Sequence, residues 1–197
     1  GSSLRRPGDG ERPRSYKTEA IVLRSRPMRE ADRLITVLTP NLGKLPVTVR
    51  GARRINSRLG GHLDAFNHVH LTLAIGHHVD VVTGAESIES FGVIKADLDR
   101  LATSVYLMEL TDALLPDASP HPGAYTLLLS ALRALNEGEP VGRVARYTEL
   151  RLLEDSGYLP ELGHCQVCGG EITPGHHKFA PELGGVVDDT CDVPIGQ

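Results

Sequence analysis

Five short segments with the residue pattern of β-strands follow one another between Tyr16 and about Phe91, and this succession constrains the fold more than any other feature. Pro40, Asn41 and Gly43 lie between the second and third segments and favour a hairpin turn there. Five short strands within about 75 residues predict a small closed or partly open barrel. The segments cover residues 18–24, 34–39, 44–50, 69–75 and 79–85.

Two barrel types fit this succession of strands. A five-stranded barrel of the OB type commonly binds oligonucleotides across its sheet and loops. The strand period alone does not separate it from an SH3-like barrel. Apolar and polar residues alternate along the third segment, which predicts one buried and one cationic face. The buried set is Leu45, Val47 and Val49, and the outer set is Lys44, Thr48 and Arg50.

The apolar spacing changes to that of helices at about Ile94. A first helical stripe ends before Pro116, and a third stretch over residues 141–156 is closed by Gly157. We interpret these stripes as the packing surfaces of a small helical bundle rather than as ligand sites. The first stripe is Leu98, Leu101, Val105 and Met108, and the second is Ala124, Leu127, Leu128, Ala131, Leu132 and Leu135.

Three cysteines lie close together near the end of the sequence, which suits a metal site better than a set of disulfides. Cys165 and Cys168 have the spacing of a zinc knuckle, and two glycines follow them. A second pair with Cys191 would need a cysteine at position 188, where the chain has Asp188. Because a carboxylate can bind zinc, we predict a structural zinc site formed by Cys165, Cys168, Asp188 and Cys191.

Other interpretations of the cysteines remain open at this point. His164, His176 or His177 could supply the fourth ligand instead of Asp188, and the element could also fold without metal, held by its apolar residues. A thioredoxin-like redox pair is disfavoured because the surrounding sequence lacks a βαβ pattern.

These patterns together predict an α+β chain with a five-stranded barrel of the OB or SH3-like type, a helical domain and a small cysteine-containing element. The first 15 residues are rich in Gly, Pro, Ser and charge and cannot bury enough apolar surface to order themselves. The expected regions are a disordered tail (1–15), a barrel domain (16–92), a helical domain (93–160) and a cysteine-containing insertion (161–193).

Charge is divided unevenly along the chain. Residues 1–60 contain 14 Lys or Arg and 5 Asp or Glu, whereas residues 61–197 contain 7 and 20. A basic segment of this kind favours a polyanion partner, because neutralising phosphates releases condensed counterions. The alternative is an ordinary solvated surface.

The sequence carries none of the common catalytic motifs of hydrolases, nucleotide-binding enzymes or metalloproteases, so we expect a protein that is not an enzyme. It also lacks an apolar run long enough for a membrane span or signal peptide, and we expect a cytoplasmic protein without a membrane partner.

A series of short motifs, in the same order, resembles the bacterial RecO family over residues 16–191. The most specific are the Arg-rich segment with the Ser-Arg-Leu that follows it, and the loop of residues 179–185. The matching motifs are Ala20-Ile-Val-Leu-Arg, Glu30-Ala-Asp-Arg-Leu, Gly43-Lys, Arg50-Gly-Ala-Arg-Arg, Ser57-Arg-Leu-Gly-Gly, Ala65-Phe, Glu86-Ser-Ile-Glu-Ser-Phe, Tyr106, Glu109, Leu150-Arg-Leu-Leu, Gly157-Tyr-Leu-Pro and Cys165.

The resemblance implies a mediator of DNA repair and recombination that acts at the nucleoid. Such a protein would bind single- and double-stranded DNA, anneal complementary strands, and help RecA load onto strands coated with single-stranded-DNA-binding protein (SSB). It also implies RecR as a partner. For the fold, it implies an N-terminal five-stranded OB-fold barrel that binds DNA (16–92), an α-helical domain (93–160) and an inserted zinc-ribbon-like or zinc-finger-like element (161–193). Two departures stand out: Asp188 replaces a metal-binding Cys of many members, and the family usually has a further helix after Gln197. Residues 194–197 are therefore expected to begin a C-terminal segment that this sequence truncates.

We expect phosphate contacts from basic residues in or beside the barrel strands and in the Arg-rich segment. Only Tyr16 and Phe66 are aromatic near this region, so base stacking should be minor. The alternative function is an adaptor whose barrel binds an acidic peptide tail without annealing DNA. The expected phosphate contacts are Arg24, Arg26, Arg29, Arg33, Lys44, Arg50, Arg53, Arg54 and Arg58.

Overall fold

A computed structural model of the chain describes residues 15–28, 32–51, 59, 61–158 and 160–193. The predicted tail up to residue 14 and residues 194–197 therefore lie outside the described part. The chain divides into two compact units, Gly1–Leu152 and Leu153–Gln197. None of the described helices is long and apolar enough to cross a membrane.

The first unit contains a closed five-stranded barrel followed by helices, which confirms the predicted fold class. The strands close in the order β1-β2-β3-β5-β4. β3 and β5 pair in parallel, and the other pairs are antiparallel. The strands are β1 (Ser15–Pro27), β2 (Arg33–Thr39), β3 (Gly43–Val49), β4 (His68–Ala74) and β5 (Asp80–Glu89).

In the described part of the chain, four α-helices follow the barrel. The sequence predicted one helix from about residue 94 to Pro116, but the structure has two, because the Asp97 carboxylate accepts a hydrogen bond from the Arg100 amide and starts a new helix. The helices are α1 (Gly92–Ala96), α2 (Leu98–Leu114), α3 (Pro122–Asn136) and α4 (Val141–Asp155).

The predicted buried stripe of α2 was wrong at two of its four residues, since Leu98 and Val105 are both exposed. Leu98 is 79% exposed, and the buried residues of this helix are Ser104, Leu107, Met108 and Thr111. Two of these are polar, and Thr111 donates its hydroxyl hydrogen to the Leu107 carbonyl oxygen. A search for apolar spacing misses a helix face of this kind, because half of its buried residues are not apolar.

Strand β1 is buried on both faces. Ala20 and Val22 point into the barrel and pack in its core, whereas Ile21 and Leu23 belong to the core shared with the helices. This double burial explains the unbroken apolar run in the first strand segment, since neither face needs polar residues. The middle of β1 therefore contributes side chains to both hydrophobic cores.

A buried polar network also joins the barrel to α3. The imidazole of His68, which is 3% exposed, lies 2.8 Å from a Glu89 carboxylate oxygen and 3.0 Å from the Tyr125 hydroxyl. Glu19 lies 3.4 Å from both groups, and the Arg133 guanidinium donates two hydrogen bonds to one Glu89 oxygen and one to the other. The Arg133 hydrogen bonds are the main reason that the pKa of Glu89 lies below its usual value.

The second unit is small. It contains a two-stranded sheet of β6 (Lys178–Ala180) and β7 (Gly185–Val187), joined by a 3₁₀ helix over Pro181–Leu183. Its buried core consists of Cys165, Ala180 and Val187, with a few half-buried apolar neighbours.

We expect replacement of Arg133 by Met to destabilise the chain at pH 7 by about 1 kcal/mol, because the ion pair is partly exposed. Since the folded state lowers the pKa of Glu89, this stabilisation is complete above the usual pKa of 4.5 and is lost as the pH falls below it. Urea unfolding should show a smaller difference between wild type and variant at pH 3 than at pH 7. Arg143→Met, which removes an exposed residue 3.8 Å from Glu139, is the control and should change little at either pH. A difference as large at pH 3 as at pH 7 would contradict this account.

Candidate nucleic-acid interface and metal centre

Three of the predicted phosphate-binding arginines lie at one end of the barrel. This end is formed where β1 ends, β2 begins and β3 ends: Arg33 pairs with Pro27 on one side and with Val49 on the other. Arg26 and Arg50 are exposed, and Arg33 is half-buried. Among the described residues, no carboxylate forms an ion pair with any of the three. We call Arg26, Arg33 and Arg50 the basic end of the barrel.

The backbone around the basic end is held by Asp32. Its carboxylate accepts a hydrogen bond from the Gly51 amide, and its carbonyl oxygen accepts one from the Met28 amide. Gly51 has a φ of 66°, a conformation that favours glycine. Asp32 thus fixes the start of β2, where Arg33 lies, next to the turn after β3, where Arg50 lies.

Lys44 occupies a very different environment from the one expected of an exposed cationic face. It is 8% exposed, and its ammonium group lies 3.0 Å from Asp112, 3.2 Å from Asp117 and 2.7 Å from the Asp112 carbonyl oxygen. The alternation of β3 places Lys44 outside the barrel as predicted, but α2 and the segment after it cover that face. The expectation of a solvent-facing cation at this position was wrong.

Arg24 is intermediate between these two cases. Its side chain is 56% exposed, and its Nε atom lies 3.4 Å from Asp112 and donates a hydrogen bond to Thr36. Part of its guanidinium group is therefore engaged in the contact between β1 and α2, while the rest faces solvent.

The remaining basic candidates, Arg29, Arg53, Arg54 and Arg58, lie outside the described residues. The two aromatic residues near the barrel are both engaged. Tyr16 donates its hydroxyl hydrogen to Asp80 at 2.6 Å, and the ring of Phe66 is buried with the Lys95 ammonium 5.5 Å from its centre. Neither ring is an open platform for a base.

The three cysteines of the second unit form one cluster, in which all three sulfur atoms lie within 4.8 Å of one another. Cys165 is buried, Cys191 is half-buried and Cys168 is exposed. The turn at Cys165 is closed by hydrogen bonds from the Gly169 amide to the Cys165 carbonyl and from the Cys165 amide to the Gly170 carbonyl. Three sulfurs at this separation could hold one metal ion.

Backbone amides prepare Cys165 to act as a thiolate. The Asp188 amide donates to its sulfur at 3.3 Å and the Val167 amide at 3.4 Å. These amides, that of Asp188 above all, lower the pKa of Cys165 to about 6. The side-chain contact with Cys168 raises the pKa of Cys191 to about 11, because a thiol that donates a hydrogen bond keeps its proton. A bound cation would remove protons from all three thiols.

The Asp188 carboxylate is not part of the cysteine cluster. One of its oxygens accepts hydrogen bonds from the amide and the hydroxyl of Thr190, and these bonds keep the pKa of Asp188 below its usual value. Its ligand atoms group with those of His177 and Asp189 instead. Of the other candidate ligands, His164 has a side chain that is mostly exposed and lies 3.6 Å from Glu161.

Comparison with known protein families gives matches along most of the chain. Residues 14–91 match the family model described as Recombination protein O N terminal, and residues 95–194 match that of the Recombination protein O C terminal. The chain belongs to the RecO family. Its two matched segments correspond to the barrel and to the helices with the cysteine cluster.

Individual relatives agree with this membership of the RecO family. The DNA repair protein RecO of Roseiflexus sp. (strain RS-1) is 41% identical over 180 residues, which cover 91% of this chain and 63% of that protein. The DNA repair protein RecO of Dehalococcoides mccartyi (strain ATCC BAA-2266 / KCTC 15142 / 195) is 37% identical over 91% of this chain and 71% of that protein. The DNA repair protein RecO of Desulforudis audaxviator (strain MP104C) is 41% identical over 90% of this chain and 71% of that protein. This chain thus spans only part of the length of these relatives.

Sequence reasoning missed several residues that the structure makes important. Asp112 and Asp117 engage Lys44, and His68 connects the barrel to α3. A single acidic residue on a helix or a single histidine in a strand gives no spacing pattern, so no signal in the sequence distinguished them.

Proposed function

We propose that this RecO family chain is a DNA repair and recombination mediator that binds single- and double-stranded DNA through the basic end of the barrel. The observation that supports this most directly is the placement of Arg26, Arg33 and Arg50 at one end of the barrel, without a carboxylate partner among the described residues. Unpaired guanidinium groups are well suited to phosphate oxygens. We further propose that Arg29, Arg53, Arg54 and Arg58, which belong to the same basic part of the sequence, extend this contact.

Lys44 takes no part in phosphate contact in this proposal. Its ammonium group already has three oxygen partners, and leaving them would strand the Asp112 carboxylate, which is largely buried. We assign Lys44 a structural role. For Arg24 we propose both a structural contact with Asp112 and a phosphate contact through its exposed part.

Annealing of complementary strands needs no covalent step. A cationic surface reduces the repulsion between two phosphate backbones, and base pairing supplies the remaining free energy. Since neither Tyr16 nor Phe66 offers an open ring, binding should depend on charge rather than base identity. We therefore propose a non-enzymatic role: annealing, and loading of RecA onto strands coated with SSB, with RecR and SSB as partners and chromosomal DNA at the nucleoid as the substrate.

Replacing Arg26, Arg33 and Arg50 together with Ala should weaken binding of a single-stranded oligonucleotide. It should also make the slope of log K against log salt less steep by about 2, at about 0.7 for each phosphate that the protein no longer neutralises. Fluorescence anisotropy over a salt series measures both quantities. Arg143→Ala, on α4, is a control that removes one exposed arginine elsewhere and should leave the slope unchanged. A triple variant that is folded and retains the wild-type slope would refute the assignment of these residues.

Wild-type protein should anneal complementary strands coated with SSB, and it should do so less well as salt rises. The Arg53→Glu, Arg54→Glu double variant should lose this activity, because two positive charges become negative. Fluorescence energy transfer between labelled strands follows the reaction. If the folded wild-type chain binds SSB but anneals no strands, the adaptor function, in which the barrel binds an acidic peptide tail, becomes the better proposal.

We propose that the cysteine cluster holds a structural zinc ion. Among its described residues, the unit of residues 153–197 has a core of three buried residues, and units this small usually need a metal ion or disulfides to fold. The thiolates of Cys165, Cys168 and Cys191 would hold the ion, which would supply cross-links between the two loops that carry them.

Removal of zinc should loosen the second unit and leave the first intact. Hydrogen exchange followed by mass spectrometry should show faster exchange in residues 160–193 after treatment with a strong chelator, while the barrel strands keep their protection. Exchange that does not differ between zinc-loaded and chelated protein would contradict a structural role.

A further inference from the structure

The two loops of the cysteine cluster share one backbone pattern but differ in the atom that each presents. In the first loop, the amide of Val167 donates to the sulfur of Cys165, two residues earlier. In the second loop, the amide of Thr190 donates to a carboxylate oxygen of Asp188, also two residues earlier. Asp188 therefore stands where the first ligand of a second knuckle would be, and its carboxylate receives the amide that a ligand sulfur would receive.

The Asp188 carboxylate is nevertheless committed to other groups. The same oxygen accepts the Thr190 hydroxyl hydrogen at 2.6 Å, and the second oxygen lies 3.9 Å from Nδ1 of His177. The three sulfur atoms lie within 4.8 Å of one another, and neither carboxylate oxygen of Asp188 lies that close to all three of them. Binding a metal together with the sulfurs would require this side chain to move away from its present partners.

The nearby histidines do not fill the position either. His177 has its Nε2 atom 2.6 Å from the Thr173 carbonyl oxygen, and it groups with Asp188 and Asp189 rather than with the sulfurs. His164 has a side chain that is 62% exposed and lies beside Glu161. Among the described residues, the cysteine cluster thus contains three ligands and no fourth.

Charge favours a neutral fourth ligand. A zinc ion with three thiolates has a net charge of −1, and a carboxylate would make it −2. Residues 153–197 contain eight Asp or Glu and a single basic residue, Lys178, so a further negative charge would be poorly compensated. A water molecule leaves the charge at −1, and the exposure of Cys168 gives solvent access to the cluster.

We propose that the metal ion is held by Cys165, Cys168 and Cys191 alone, and that its fourth position is taken by a water molecule that small thiols or imidazole can replace. This inference rests on the proposed zinc site and concerns only how the ion is coordinated. Three protein ligands plus an exchangeable water is a known coordination for zinc, mostly in catalytic sites. Most structural zinc ions have four protein ligands, so this site would combine a structural role with an open position. The site would then be open to a soft ligand from outside the chain.

Cobalt(II) in place of zinc tests this proposal, because its visible absorption depends on the ligands and grows stronger with each thiolate. The full chain, reduced with a phosphine rather than a thiol, is titrated with one equivalent of cobalt. The expected complex has three thiolates, and added 2-mercaptoethanol or imidazole should shift its absorption bands. A spectrum that does not respond to either reagent overturns the proposal.

Variants at position 188 supply the second test. Asp188→Asn keeps an oxygen acceptor for Thr190 and should change cobalt affinity by less than about tenfold, the lower limit for loss of even a second-layer partner. Asp188→Cys should add a fourth thiolate, strengthen the charge-transfer absorption and remove the response to added thiol. A larger loss of affinity in Asp188→Asn, with a changed spectrum, would identify Asp188 as a ligand and overturn only this inference.

Cys168→Ser is the matched control and should weaken binding and the thiolate absorption together. If the folded wild-type chain binds no cobalt or zinc, both the structural zinc site and this inference fail. If the ion binds but Asp188 proves to be a ligand, the proposed zinc site is kept and the proposed open coordination position is rejected.

Discussion

The ion pairs of Lys44 connect the two halves of the first unit, and much of the remaining arrangement depends on them. The lysine lies at the start of β3 and reaches Asp112 on α2 and Asp117 in the segment that follows. Taking these charges out of water is costly, and only close pairing compensates for it. Next to the lysine, Gly43 leaves room for the backbone of Ser119, since a Cβ atom at Gly43 would lie 2.0 Å from the Ser119 carbonyl oxygen. The Gly43-Lys pair of the family motif thus has a packing explanation.

The Lys44 ion pairs lie at the opposite end of β3 from the proposed DNA-binding surface. The strand β3 begins at Gly43 and ends at Val49, so a seven-residue strand of about 20 Å separates the anchored lysine from Arg50 at the basic end. The helices are fastened near one end of the β2–β3 hairpin, and the arginines without described partners lie at the other. Two cations near opposite ends of one short strand can therefore have different roles: Lys44 is paired within the fold, and Arg50 is available to a polyanion.

The sequence predicted elements well where a single periodicity determined them, and poorly where a tertiary contact did. The barrel strands, the hairpin and the burial along α3 follow from alternation and helical spacing. Lys44 was misjudged because the strand period tells which face a residue is on, but not whether another element covers that face. Leu98 was misjudged because Asp97 caps a new helix. Leu98 is therefore the first residue of that helix and lies in its exposed first turn. For the candidate metal site, the cysteine spacing predicted the cluster, but the hydrogen bonds that hold Asp188 apart from it depend on the three-dimensional fold.

The double burial of β1 has a consequence for how this chain can be divided. A strand that contributes Ala20 and Val22 to one core and Ile21 and Leu23 to another cannot lose either neighbour without exposing a row of apolar side chains. The barrel resembles a self-contained module in its hydrogen bonds, yet its outer surface is completed by the helices. A fragment that ends after the last barrel strand would therefore expose this apolar surface and tend to self-associate. In related proteins, gain or loss of the helices would require compensating polar substitutions along β1.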